Sequence, residues 1–218
     1  MAVHDQKKKE TMIRFILAAR EVVDEIGLEK ISVRKIAERA GFHKSTIYVY
    51  FEDLDELILL ATLTHFNEYS KWLYEHSNTD LSPVEEFLQL WYAFGETIFA
   101  RPRMWKNFFF GKHSQELGKV FSIYYDLFPE EKKEYSKEIS DMYYASNIID
   151  RCMITLRPMM KEHTRVTEEN ISLLNEITVA CLRYLIDDMI DRPDILPEDQ
   201  NRKLQAMLRN VIFGDGAR

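Results

Sequence analysis

The chain has 218 residues, of which only 7 are glycine and 6 are proline. A β-sandwich or β-barrel needs a turn every ~8–12 residues, and this composition cannot supply those turns. Hydrophobic residues make up 46% of the chain, which excludes the collagen-like and disordered classes. The composition therefore predicts an all-α globular protein.

The formal net charge of −7 is unevenly distributed along the chain. Residues 1–50 carry 10 Lys/Arg and 7 Asp/Glu, a net +3, whereas residues 51–218 carry 19 and 29, a net −10. A mildly basic N-terminal part on an acidic remainder indicates that only the N-terminal part binds a polyanion such as nucleic acid.

The sequence carries no sign of a membrane segment or a metal site. No apolar run approaches the ~18 residues that a membrane span needs, and the opening MAVHDQKKKE lacks the apolar stretch of a signal peptide. The two cysteines, Cys152 and Cys181, are isolated in helical patterns, which is typical of core packing in a reducing compartment. We therefore expect a cytoplasmic protein with no membrane partner, no metal and no cofactor.

The N-terminal part has the pattern of a helix-turn-helix. The spacing of apolar residues predicts amphipathic or docked helices over Glu10–Ile26, Val33–Ala40 and Lys44–Tyr50. Gly27 and Gly41 are placed to end the first two, Ser32 caps the second, and Asp53 caps a long helix that begins at Leu54. Two short helices joined by a glycine-containing turn form a helix-turn-helix, whose second helix enters the DNA major groove.

The outward face of that second helix suits DNA better than it suits solvent. Small hydroxyls, a cation and aromatic hydroxyls match phosphate oxygens and base edges. The residues on this face are Lys44, Ser45, Thr46, Tyr48, Val49 and Tyr50. An alternative is that the two tyrosines cover the core and leave only their hydroxyls in water.

The segment IGLEKISVRKIAERAGFHKSTIYVYFEDLDEL resembles the DNA-binding head of the tetracycline-repressor (TetR) family of transcriptional regulators. The resemblance covers about residues 10–60. It lies in the glycine-terminated first helix, the capped second helix with I-A-x-x-A-G, and the third helix with T-I-Y-x-Y-F. It implies a helix-turn-helix head of three helices, residues 1–53, on a larger all-α body, residues 54–218, that binds an effector and dimerises.

The resemblance also implies roles for individual residues. Arg34 matches a position that reaches a base or phosphate, the six outward residues match the reading face, and Tyr48 matches a tyrosine that contacts the phosphate backbone. Two positions depart from the family pattern: Glu52–Asp53–Leu54 replaces a segment that often holds a phosphate-binding lysine, and His43 replaces a Ser or Thr cap. These changes would weaken DNA affinity or shift it towards Lys7–Lys9.

The region from Phe66 to Phe110 holds all three tryptophans and many phenylalanines. In the TetR family this region forms a cavity for a small hydrophobic or aromatic effector, although an aromatic stripe at helical spacing is also typical of plain core. The predicted lining residues are Trp91, Phe94, Trp105, Phe109, Tyr125 and Met142. The predicted polar anchor is His65 or His113.

Two long helices, Glu131–Met160 and Thr167–Ile190, are predicted in the C-terminal part. The second is apolar on three faces, so it must be buried on more than one side, and a second subunit can cover one of them. The predicted interface residues are Val179, Leu182, Ile186 and Ile190. The resemblance implies a homodimer held by a four-helix bundle, and hence a two-fold DNA site.

These features together predict a DNA-binding transcriptional regulator that represses until a small hydrophobic or aromatic effector releases it from a double-stranded operator. An effector-dependent activator and a helical adaptor that has lost DNA binding remain open. An enzyme is disfavoured, because the sequence holds no HExxH, GxSxG, phosphate-binding glycine loop or Cys/His cluster. No catalytic residue is therefore predicted.

Overall fold

The structure, a computed structural model, describes residues 2–75, 81–135 and 137–214. Within these ranges the secondary structure is helical, with no β-strand. The α-helices are α1 (Ala2–Ile26), α2 (Val33–Ala40), α3 (Ile47–Tyr50), α4 (Leu54–Thr62), α5 (Asn67–Glu75), α6 (Pro83–Ala100), α7 (Pro102–Phe110), α8 (Leu117–Leu127), α9 (Lys137–Tyr143), α10 (Ile148–Leu156), α11 (Ile171–Asp191) and α12 (Pro197–Phe213). The all-α fold class is confirmed.

Two of the predicted long helices are interrupted. The helix from Leu54 passes through a 3₁₀ turn at Leu63–Phe66 before it continues as α5. The single helix predicted over Glu131–Met160 is wrong: the chain folds as α9 and α10, followed by a 3₁₀ helix at Arg157–Lys161. The reason is local, because the Asn147 side chain accepts a hydrogen bond from the Asp150 amide at 2.8 Å and so starts a new helix.

The chain divides into two compact units. The first contains residues 1–66 and 119–132, and the second contains residues 67–118 and 133–218. The sequence-based division into a DNA-binding domain, residues 1–53, and an effector-binding and dimerisation domain, residues 54–218, stays a prediction.

The first unit is built on α1, which packs against α2 and α4. Phe15 of α1 is fully buried, and its ring lies 4.9 Å from the Phe42 ring and 6.1 Å from the Phe51 ring. Ile36 of α2 and Ile47 of α3 are also fully buried. The short helix α3 could not persist alone, so this apolar contact is what holds it in place.

Residues 119–132 add a polar cluster to the first unit. The Arg20 guanidinium lies 4.7 Å from the Phe128 ring centre, donates a hydrogen bond to the Tyr124 hydroxyl and lies 3.7 Å from a Glu131 carboxylate oxygen. Burial, followed by the hydrogen bond to Glu131, raises the pKa of Tyr124. Lys9 and Asp126 form an ion pair at 2.9 Å. These contacts tie the 119–132 segment to α1.

The second unit packs α6 against α12 and packs α11 against α7, α10 and α12. A Cβ added at Gly95 would lie 2.1 Å from Oδ1 of Asn201, so the two helices approach at the limit that glycine allows. Asn201 is buried and donates a hydrogen bond to the Tyr92 carbonyl at 3.0 Å. Both cysteines lie in this unit with free thiols, Cys152 buried and Cys181 partly buried.

None of the helices in the described ranges is both long and apolar enough to cross a membrane.

Candidate DNA-binding surface and effector cavity

Three local features fix the two ends of α2 and the turn that leads into α3. The Ser32 hydroxyl accepts a hydrogen bond from the Lys35 amide at 3.4 Å and caps α2. Gly41 ends α2 in the left-handed conformation, with φ of 75°, which side chains with a Cβ rarely adopt. His43 Nδ1 accepts from the Ser45 amide at 3.4 Å and lies 2.8 Å from the Ser45 hydroxyl. His43 therefore caps the next turn in place of the usual Ser or Thr.

The segment predicted to read DNA starts as a 3₁₀ turn, Lys44–Thr46, and continues as α3. Tyr48 is 60% exposed and Val49 is 72% exposed. Lys44 and Ser45 are exposed as well, whereas Thr46 and Tyr50 are half-buried. The Tyr50 ring lies 6.2 Å from the buried Phe15 ring. The structure thus places four of the six predicted reading residues fully on the surface, and the other two at its edge.

Neighbouring charges surround this exposed face. Arg34 of α2 is exposed, and its Nε donates to the Glu38 carboxylate at 2.7 Å. Asp53 accepts a hydrogen bond from the Glu56 amide at 2.9 Å and caps α4, as the sequence predicts. The basic residues near the N-terminus are helical, with Lys7 exposed in α1.

A clamp of ion pairs holds α2 against α1. The Arg39 guanidinium contacts the Glu21 carboxylate at 2.9 Å and the Glu25 carboxylate at 2.6 Å. The hydrogen bond from Arg39 lowers the pKa of Glu25 below its ordinary value of 4.5. This clamp fixes the orientation of α2 relative to α1, and the Lys44–Tyr50 segment packs against these two helices.

The second unit contains a small, mainly apolar cavity that is partly open to solvent. Residues from α5, α6, α9 and α10 line it: Tyr69, Leu90, Trp91, Phe94, Met142, Ile148, Arg151, Cys152 and Thr155. Three of these, Trp91, Phe94 and Met142, are among the predicted lining residues.

The other predicted lining residues lie elsewhere. Trp105 and Phe109 are fully buried in an aromatic cluster behind Phe94, whose ring is 5.3 Å from that of Phe109. Tyr125 belongs to the first unit and stacks on Phe121. Of the two predicted anchors, His65 lies 3.1 Å from the Asp24 carboxylate in the first unit, and neither histidine lines the cavity.

Arg151 is the charged residue of the cavity wall, and the sequence analysis missed it. Its side chain is 3% exposed, and Nη1 donates a hydrogen bond to the Tyr143 carbonyl. The guanidinium lies 5.6 Å from the Tyr143 ring centre and 5.8 Å from the Phe109 ring centre. A signal for it was present, since Arg151 follows Ile148 and precedes Thr155 on one face of α10 at helical spacing.

The exposed face of α11 is not the face that the sequence predicts to form the dimer interface. Leu182 and Ile186 are fully buried in the chain's own core, Val179 is buried, and Ile190 is half-buried. Side chains without exposed surface cannot form the direct contacts of an interface. The exposed apolar residues of α11 are Leu173, which is 59% exposed, Ile177 and Tyr184.

The described residues contain no group of three or more His, Cys, Asp or Glu side chains that could hold a metal ion. The unit that α1 to α3 build is a helix-turn-helix with its second helix exposed, the element through which transcriptional regulators bind DNA. Residues 15–61 match the family described as "Bacterial regulatory proteins, tetR family". This match covers the helix-turn-helix segment, which is therefore similar to the corresponding segment of TetR-family transcriptional regulators.

Known proteins resemble the chain well beyond this segment. An HTH-type transcriptional regulator of Staphylococcus aureus strain USA300 is 28% identical over 146 residues, which cover 63% of this chain and 78% of the relative. Thermus thermophilus FadR, a TetR family transcriptional repressor in complex with lauroyl-CoA, has a TM-score of 0.60 at 15% identity and covers 95% of this chain and 96% of its own. RolR in complex with resorcinol has a TM-score of 0.54 at 17% identity, covering 94% and 89%. At these identities the structural likeness shows the fold.

Proposed function

We propose that the chain acts as a homodimeric repressor, which binds a two-fold DNA operator through α3 and is released by a small hydrophobic or aromatic effector. The observation that carries the proposal is the exposure of Tyr48 and Val49 on a helix that is anchored by the buried Ile47. Contact with water does not stabilise an aromatic or an aliphatic side chain, and contiguous exposed apolar residues mark interaction sites. Binding to DNA would place the protein in the cytoplasm.

The proposed DNA contacts divide into two kinds. Lys44, Arg34 and Tyr48 would bind phosphate or base edges by hydrogen bonds, and Val49 would contact the methyl group of a thymine. Ser45 and Thr46 supply hydroxyls beside them, and Tyr50 supports the face from its edge. The first turn of α4 is acidic, with Asp55 and Glu56, so the positive charge of the proposed contacts comes from Arg34 and Lys44.

The proposed dimer uses the exposed face of α11, with Leu173, Ile177 and Tyr184 repeating at helical spacing. We infer that this face, and not the buried Leu182 and Ile186, contacts a second copy. A two-fold dimer would present two α3 helices to major grooves about one duplex turn (~34 Å) apart.

The proposed effector site is the cavity of the second unit. FadR is described with lauroyl-CoA and RolR with resorcinol, so this fold holds both an acyl and an aromatic ligand in those proteins. Trp91, Phe94 and Tyr69 would give this chain's cavity aromatic walls. Release requires the effector to bind more tightly to a conformation that does not bind the operator, and a coupling of ~1–3 kcal/mol changes operator affinity roughly 5- to 150-fold.

A gel-shift titration against the DNA upstream of the protein's own gene tests the DNA-binding part. Lys44→Ala should weaken binding and reduce the slope of log affinity against log salt by about 2, because one phosphate contact is lost in each half of the dimer. Lys133→Ala, at an exposed position in the second unit, is the matched control and should leave both unchanged.

Tyr48→Ala should weaken operator binding ~5- to 100-fold, whereas Tyr74→Ala, at a tyrosine with a similar 55% exposure, should have no effect. Equal behaviour of Tyr48→Ala and Tyr74→Ala would contradict the assignment of Tyr48 to the DNA contacts, and a wild type that binds no operator would favour the adaptor that has lost DNA binding. Tighter operator binding in the presence of an effector would favour the activator.

A further inference from the structure

The two arginines of α2 use their guanidinium groups in different ways. Both Nη atoms of Arg39 donate to carboxylates of α1, at 2.8 and 2.9 Å for Nη1 and at 2.6 Å for Nη2. Arg34 donates instead through Nε, to the Glu38 carboxylate at 2.7 Å, and its Nη atoms make no hydrogen bond to another residue of the described ranges. Every other N–H donor of a guanidinium lies on the Nη atoms. The planar fork of Arg34 is therefore left for a ligand, whereas that of Arg39 is occupied.

Arg34 and Glu38 form an exposed pair. They lie one turn apart on α2, and their side chains are 81% and 62% exposed. Exposed ion pairs contribute little to stability, so either side chain can be replaced without loss of the fold. The bond to Nε turns one edge of the guanidinium toward Glu38 and leaves the terminal edge, which the two Nη atoms form, outside this contact.

Charge decides which group of DNA this fork favours. A bidentate arginine fork matches both a phosphate and the O6/N7 edge of guanine. The Glu38 carboxylate beside the fork repels a phosphate, but the guanine edge has no formal charge for it to repel. The pair has a net charge of zero, whereas sequence-independent binding to DNA depends on positive charge. The arrangement thus favours a base over the DNA backbone.

We propose that Glu38 determines the sequence specificity of the chain: it orients Arg34 so that the Nη fork reads a guanine, and it keeps Arg34 from phosphates. Glu38 is a positioning residue in this assignment, because it acts on DNA through Arg34. The inference rests on the DNA-binding role proposed above, and it decides between the base and the phosphate that the resemblance leaves open for Arg34.

The first test measures which contact Arg34 makes. Fluorescence anisotropy follows the full chain on a duplex from upstream of its own gene, and on duplexes in which each G·C pair of one half-site is replaced in turn by A·T. One replacement should weaken wild-type binding roughly 5- to 150-fold and should have no effect on Arg34→Met, since that variant no longer reads the pair. If Arg34→Met instead weakens binding to every duplex by the same factor and reduces the salt slope by about 2, Arg34 binds a phosphate and the proposal is overturned.

The second test isolates Glu38. Glu38→Gln keeps the shape of the side chain and removes its charge, so Arg34 gains access to phosphates. On a scrambled duplex the affinity should rise and the slope of log affinity against log salt should steepen by about 2, for one new phosphate contact in each half of the dimer. Discrimination at the guanine should fall. A variant that is merely destabilised would bind both duplexes more weakly, so tighter binding to scrambled DNA is a result that a purely structural role does not give.

The controls separate the possible failures. Glu168→Gln removes the same charge at an exposed position of the second unit and should match the wild type. In the Arg34→Met background, Glu38→Gln should no longer steepen the salt slope. A steepening that persists there, or a Glu38→Gln variant that binds scrambled DNA as the wild type does, overturns the role of Glu38. A wild type that binds neither duplex contradicts the DNA-binding proposal itself, whereas a wild type that binds every replaced duplex with equal affinity contradicts this inference alone.

Discussion

The two units depart from ordinary folding rules in opposite directions. The first exposes apolar surface, with Tyr48 and Val49 on α3 in solvent, whereas the second buries a charge, with Arg151 in a wall of aromatic rings. Exposed apolar surface is unfavourable in water, and the burial of a charge is unfavourable unless hydrogen bonds and ion pairs compensate it. Departures from local rules are expected at functional sites. The comparison therefore supports the proposal that one unit functions at its surface and the other in its interior.

The largest loss of stability is expected when a carboxylate is placed in the interior of the second unit. We expect Leu182→Asp to unfold the chain, since an unpaired buried carboxylate costs several kcal/mol out of a total stability of ~5–15 kcal/mol. Leu173→Asp, on the exposed face of the same helix, should melt within a few degrees of wild type. Thermal denaturation followed by circular dichroism measures both.

The same pair tests the proposed interface. Sedimentation velocity should show Leu173→Asp as a monomer at concentrations where the wild type is a dimer. A Leu182→Asp variant that is folded and monomeric, or a Leu173→Asp variant that is still a dimer, would favour the face of α11 with Leu182 as the dimer interface.

Glycine substitutions should destabilise each unit by a smaller amount. Gly95→Ala places a methyl group 2.1 Å from Asn201 Oδ1 at the contact of α6 and α12, and overpacking of this kind costs about 1–3 kcal/mol. Gly27→Ala meets no atom within 4 Å, but its backbone, with φ of 76° and ψ of 163°, lies in a region that is essentially restricted to glycine, at a cost of about 1–3 kcal/mol. Urea denaturation should therefore show a loss of stability in both variants, and a Gly95→Ala variant as stable as wild type would contradict the close packing at Gly95.

Removing exposed apolar surface from α3 should affect DNA binding alone. Val49→Ala should weaken operator affinity several-fold through loss of a contact with a thymine methyl group, while the free energy of unfolding stays within about 0.5 kcal/mol of wild type. Leu196→Ala, at another highly exposed apolar position, serves as the control and should change neither quantity. A Val49→Ala variant that loses stability would show that this side chain supports the fold.

The smallest effect concerns the clamp between α1 and α2. Arg39→Gln removes the partner that lowers the pKa of Glu25, so the melting temperature at pH 7 should fall slightly. The pair stabilises the fold fully above the ordinary carboxyl pKa of 4.5, and this contribution is lost as the pH falls through the lowered pKa of folded Glu25. The difference between wild type and variant should therefore disappear in acid, and a difference independent of pH would contradict the role of this ion pair.

Local signals made the helix-turn-helix of the first unit predictable. Caps and left-handed glycines depend on a few adjacent residues, which is why Ser32, Gly41 and Asp53 could be placed from the sequence alone. His43 was missed as a cap, since a histidine nitrogen accepts the same hydrogen bond less often than a hydroxyl. The exposed face of Lys44–Tyr50 was predicted from the family motif. The partial burial of Tyr50 could not be predicted, because it depends on Phe15, which is far away in the sequence.

Long-range packing limited prediction in the second unit. Helix α11 is apolar on three faces, and only the positions of α7, α10 and α12 decide which face stays exposed. The same limit applies to the cavity, where Trp91 and Trp105 carry identical sequence signals but only Trp91 lines the wall. The break at Asn147 was missed because neither glycine nor proline marks it.

The two thiols have a consequence for how the protein meets oxidants. Burial raises the pKa of Cys152 and of Cys181 above the ordinary value, so the reactive thiolate form of each is scarcer at neutral pH than in an exposed cysteine. Peroxides and alkylating reagents attack the thiolate, and both should modify this chain slowly. The proposed response to an effector in the cavity would then stay unchanged under oxidising conditions that switch redox-sensing regulators.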